Sequence, residues 1–127
     1  MQQQDLIASL EAMLARGDDN ATLRFALASR YLAAGRAEDA MGQAQAAVDL
    51  DGGYSAAWKL LGRAQAEAGK IAEAIATYER GIAVAQARGD QQVGNEMRVF
   101  LKRLQAEQRP AAPDPSSTND GSDGNGR

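Results

Sequence analysis

The 127-residue chain has no cysteine and no histidine. That excludes disulfides, thiolate nucleophiles, imidazole bases and nearly every zinc site. Strand-favouring residues are scarce: four valines, four isoleucines and three threonines stand against 27 alanines. Alanine is the best helix former, so the composition predicts an all-α protein and sets aside a β-sandwich or barrel. No stretch approaches the roughly 18–20 apolar residues of a membrane span. The opening Met-Gln-Gln-Gln-Asp lacks a basic segment leading into an apolar one, and the expected location is cytoplasmic, with no membrane partner. The net charge of −3 supplies no bulk attraction to nucleic acid. No nucleophile elbow, P-loop or dinucleotide fingerprint occurs. Carboxylate pairs such as Asp18-Asp19 and Glu38-Asp39 fall at expected helix starts, where acids cap or solvate. A non-enzymatic protein without cofactor or metal is the expectation.

Proline is missing from most of the chain. Pro110, Pro113 and Pro115 all lie in the last 18 residues, within a run of Ser, Asn, Asp and Gly. This segment has little apolar surface to offset ordering entropy, so residues 110–127 are expected to be a disordered tail behind a single domain over 1–109.

What the chain does have is a repeat. Ala34-Gly35-Arg36-Ala37-Glu38-Asp39-Ala40-Met41 matches Ala68-Gly69-Lys70-Ile71-Ala72-Glu73-Ala74-Ile75 at an offset of 34, and Leu27/Leu61, Ala28/Gly62 and Ala47/Gly81 continue it without a gap. Apolar positions spaced by three and four predict helices over 21–34 and 37–50 in the first unit (21–54), and over 55–68 and 71–87 in the second (55–88). Asn20 suits an N-cap, while Gly35 and Gly69 suit left-handed turns after helices. A glycine inside a helix costs roughly 0.5–1 kcal/mol against alanine, so Gly62 and Gly81 suggest close backbone approach.

These residues resemble the tetratricopeptide repeat family, whose pattern is W-x2-L-G-x2-Y, then A-x3-F, then P, at period 34. The second unit offers Trp58, Leu61 and Gly62, then Ala74 and Tyr78; the first offers Leu27, Ala28 and Tyr31, then Ala40. Arg24 replaces the Trp, Gln65 replaces the Tyr, and the closing Pro is absent from both units. The resemblance implies a right-handed α-solenoid of antiparallel helix pairs, with Trp58 as a buried anchor. By the same offset, an N-terminal helix over 4–16 aligns Leu6, Leu10 and Met13 with Ala40, Ala44 and Ala47. A capping helix over 91–108 buries Val93, Met97, Phe100, Leu101 and Leu104, its register slipped by about one residue. Its outer face is expected to be Glu96, Arg98, Lys102, Arg103 and Glu107. That makes about six helices.

The family's implied function is protein–protein interaction through a groove lined by the first helix of each pair. Carried over position by position, the groove consists of Phe25, Ser29 and Leu32, then Lys59, Arg63 and Ala66, then Arg98 and Lys102. The expected partner is a protein or peptide with an acidic group near the cations and an apolar side chain near Phe25 and Leu32. The competing reading buries Phe25 and Leu32 beneath the N-terminal helix and leaves the cations solvated. A chaperone-type carboxylate clamp is set aside, because Arg63 stands where the clamp has Asn. The alternative function is structural self-association into a homo-oligomer. Two Arg-Gly-Asp triplets, at 16–18 and 88–90, read as helix-end chemistry rather than adhesion motifs.

Overall fold

A computed structural model describes residues 2–108; the expected tail lies outside them. Six helices follow one another: α1 (Gln3–Ala15), α2 (Ala21–Ala33), α3 (Ala37–Leu50), α4 (Ser55–Glu67), α5 (Ile71–Arg88) and α6 (Gln91–Gln108). Their ends are set by local chemistry. The Asn20 side chain accepts a hydrogen bond from the Leu23 amide at 2.8 Å, satisfying a donor the helix itself cannot. Gly35, Gly69 and Gly89 follow α2, α4 and α5 with φ of 78°, 82° and 78°, a left-handed conformation that costs glycine nothing.

Consecutive helices pack as antiparallel pairs, and α2, α4 and α6 also approach one another in turn. These three form an inner face. The outer helices α1, α3 and α5 do not approach each other, so each outer junction is floored by an inner helix. The architecture is an all-α helical repeat, as expected.

Tight packing explains the helix-interior glycines. A Cβ on Gly62 would lie 2.5 Å from the Tyr78 ring, and one on Gly81 would lie 2.7 Å from Met97 Sδ and 2.8 Å from Trp58 Cβ. Trp58 is buried, and its indole N–H donates to the Gly52 carbonyl at 2.9 Å. Leu27, Leu61, Tyr78 and Met97 are the largest side chains that are fully enclosed.

The N-terminal helix departs from the expected register. Ile7 is buried and Leu6, Leu10 and Leu14 are half-buried, whereas Met13 is 37% exposed. Helix α3 is covered both by its own partner α2 and by the following α4. Among the described residues α1 approaches only α2, and its buried side is the face of Ile7, Leu10 and Leu14.

The last helix is offset more than expected. Thirty-four residues separate the starts of α2 and α4, but 36 separate those of α4 and α6. The slip is two residues, because α5 is four residues longer than α3 while the connection that follows it is two residues shorter. Met97 and Leu104 are buried, and Val93, Phe100 and Leu101 half-buried, as the pattern predicts.

Candidate groove and clefts

The inner face holds most of the residues expected in a groove, but it does not bring them together as one site. At one end, Phe25 stacks on Tyr54 with ring centroids 5.0 Å apart, and Leu32 is buried. Ser29 is half-buried beside them in sequence. Phe25 is thus covered from the α3–α4 turn.

At the other end Lys59 reaches from α4 to Glu96 of α6, Nζ to Oε1 at 2.7 Å. The ammonium hydrogen-bonded to Glu96 holds that carboxyl below its ordinary range. Glu96 is therefore not on a solvated outer face; it bridges two inner helices. Arg63 makes only a long contact with Glu67, at 3.9 Å, and both side chains are about half exposed, 48% and 50%. Arg98 stands apart: it donates to Asn95 at 2.8 Å and lines a small cleft with Gln86, Asp90 and Gly94. Lys102 is exposed.

Sequence reasoning missed the cleft that the inner helices do form. It lies between the C-terminal halves of α4 and α6 and holds about 310 Å³. Tyr78, Phe100 and Leu104 supply its apolar part, Ala66 its α4 wall, and Arg63 and Arg103 a cation on each helix, with the Glu67 carboxylate among them. The Tyr78 and Phe100 rings are 5.8 Å apart and tilted. Burial pushes the Tyr78 phenol up to about 12, with the positive charge of Arg63 opposing that shift. Arg103, expected on the solvated outer face of α6, lines this cleft instead. An offset of 36 pairs it with Glu67, which lines the same cleft from α4.

A second cleft, of about 540 Å³, opens between the outer helices α3 and α5 over the α4 residues Leu61 and Gln65. It shares no residue with the first.

Among the described residues no helix is long and apolar enough to cross a membrane, and no group of three or more His, Cys, Asp or Glu could hold a metal ion. The Arg-Gly-Asp triplets sit at helix ends. In the second, Gly89 adopts the left-handed conformation and Asp90 accepts the Ser55 hydroxyl hydrogen bond at 2.5 Å.

Comparison with known proteins agrees with this architecture. The tetratricopeptide repeat family model matches residues 31–93. A TPR repeat-containing protein of Pseudomonas aeruginosa is 50% identical over 99 residues, covering 78% of this chain and 94% of that one. The solution structure of a Bordetella parapertussis protein superimposes with a TM-score of 0.71 at 46% identity, over 80% of this chain and 89% of that chain. A tetratricopeptide repeat domain protein of Salinibacter ruber shares the fold at a TM-score of 0.66 and 24% identity, over 76% and 97% of the two chains.

Proposed function

The chain belongs to the tetratricopeptide repeat family, and on that premise we propose that it docks a partner polypeptide in the α4–α6 cleft. Proteins of this family are in general interaction modules rather than enzymes. The finer reading rests on one observation: an apolar floor of Tyr78, Phe100 and Leu104 carries Arg63 on one wall and Arg103 on the other, against a single carboxylate, Glu67, that meets Arg63 only at 3.9 Å. An arginine fork binds carboxylates in a fixed geometry. The ligand this suits is a peptide placing an Asp or Glu between the two guanidinium groups and an adjacent Leu or Phe on the floor.

Lys59 has a lesser part in this reading, since its charge is already matched by Glu96. Arg98 and Lys102 lie outside the cleft lining. The cleft is short, and interfaces below about 1,200 Å² are usually weak or transient. The expected affinity is micromolar, on the order of −8 kcal/mol.

The test is a calorimetric titration with short peptides in which Glu or Asp neighbours Leu or Phe. Replacing both arginines, Arg63→Ala with Arg103→Ala, should weaken binding by about tenfold or more, as the loss of charged hydrogen bonds does. Lys59→Ala should change it little. Affinity that survives the double replacement unchanged would remove the α4–α6 cleft as the docking site.

A further inference from the structure

The two repeats close their outer junctions differently. In the first, Tyr31 of α2 is buried between α1 and α3, and its hydroxyl hydrogen-bonds to Glu11 of α1. The Arg36 guanidinium lies 4.4 Å from the centre of the ring, and Asp39 holds Arg36 Nε at 2.8 Å. One ring, one cation and two carboxylates seal that junction.

Moving 34 residues along the chain converts Glu11, Tyr31, Arg36 and Asp39 into Gln45, Gln65, Lys70 and Glu73. All four of these line the 540 Å³ cleft between α3 and α5. The substitution of Gln65 for a tyrosine removes the ring and leaves its space open. Gln65 is only 8% exposed, and its Oε1 has no hydrogen-bond partner. Buried polar atoms are normally paired, and an exception calls for an explanation. Gln45, in the same lining, donates to Asp49 at 3.0 Å and makes no bond to Gln65.

We infer that this cleft receives a tyrosine side chain presented by a partner protein, standing where the first repeat uses its own Tyr31. The chemistry on each side fits a phenol. Leu61 and Met41 give apolar and adaptable walls, and thioethers pack well on aromatic rings. Lys70 occupies the position from which Arg36 covers Tyr31, so its ammonium can lie over the guest ring. A phenolic hydroxyl both donates and accepts, so it pairs with the Gln65 amide once that amide turns its buried oxygen toward the cleft. The carboxylates of Glu38 and Glu73 outnumber the Lys70 cation in the lining, which selects against a phosphorylated tyrosine. Small-molecule sites usually enclose most of the ligand; this cleft is an open junction between splayed helices, and a ring held there needs flanking backbone to anchor it.

The experiment is an amide NMR titration of the full chain with acetyl-Ala-Ala-Tyr-Ala-Ala-amide. The peptide should shift the resonances of Gly42, Gln65 and Lys70 saturably, with an affinity of about 1–10 mM, as one anchoring ring provides. The peptide with Phe in place of Tyr should bind about five-fold more weakly, the loss of one hydrogen bond. Gln65→Tyr restores the pattern of the first repeat and should abolish those shifts. Gly42→Leu provides an independent block, because a Cβ at Gly42 meets no atom within 4 Å and the longer side chain projects from the cleft wall. Shifts that persist in both variants, or no saturable shift at these residues, would overturn the inference. So would p-cresol binding as tightly as the tyrosine peptide, which would assign the cleft to free phenols. The α4–α6 cleft shares none of these residues, so failure here leaves the reading of that cleft untouched.

Discussion

The two repeats follow one backbone plan and fill it in opposite ways. The first puts its large aromatic at the outer junction, Tyr31, and keeps its interior small, with Ala28 and Ala44 both fully buried. The second has a glutamine at that junction and concentrates bulk inside, where Tyr78 stands in the place of Ala44 and presses on Gly62 in the place of Ala28. Trp58, Met97 and Gly81 complete the same packed centre. The ring added on α5 is thus accommodated in part by removing a methyl from its partner α4, as near-crystalline packing density requires where the two meet. The lesson is that bulk can sit at the junction in one repeat and at the centre in the next, and that one junction can be vacated without losing the fold.

The sharpest way to break this contrast is at the position where the repeats differ most. Trp58→Ala should destabilise the protein by roughly 3–5 kcal/mol in urea denaturation. Arg24 holds the equivalent place in the first repeat and only bonds Asp19 and Gln43 at the surface, so Arg24→Ala should cost far less. Similar midpoints for the two variants would show that the second repeat has no denser centre. Next in size is Gly62→Ala. Tyr78 is 2% exposed and cannot retreat, so the added methyl should cost about 1–3 kcal/mol by overpacking. Ala28, in the equivalent position, already carries that methyl. A neutral Gly62→Ala would mean the Tyr78 ring has room.

The smallest effect is on pH dependence. Burial, aided by the hydrogen bond to Glu11, pushes the Tyr31 phenol from 10.0 up to about 12. A raised folded value means the neutral phenol favours folding. That contribution is complete below pH 10.0 and is lost as the pH climbs toward about 12. Tyr31→Phe should therefore lose less stability than wild type between these limits, followed by urea midpoints across alkaline pH. Parallel pH profiles would show that Tyr31 titrates as it does in the unfolded chain. The second junction has Gln65 where the first has this phenol.

Much of this was readable from residue spacing. The Ala-Gly-basic turns at 34–36 and 68–70 fixed the period, and helix-interior Gly62 and Gly81 announced close approach. Local rules sufficed because each repeat is a hairpin of neighbours in sequence. What escaped reading depends on distance. The Lys59–Glu96 pair spans 37 residues, and its partners could be matched only by knowing that α5 is four residues longer than α3. The same extension turned Arg98 away from Arg63 and brought Arg103 toward it. Met13 was misplaced because the offset assumed for α1 the two neighbours that α3 has, whereas among the described residues α1 packs on α2 alone. The outer cleft was half legible: Gln65 in place of a tyrosine is visible in the sequence, but an unpaired oxygen and an empty junction are properties of three dimensions.

Helix α1 approaches no helix but α2, and the side-chain link that spans their junction is the one between Glu11 and Tyr31. In a linear stack each element is stabilised only by its neighbours. Losing α1 therefore removes a single interface, while losing α4 removes several. Hydrogen exchange should follow that order, with the amides of α1 opening first and independently and those of α4 surviving until the whole molecule unravels. Among the described helices, α1 is the one that can come away without disturbing the rest.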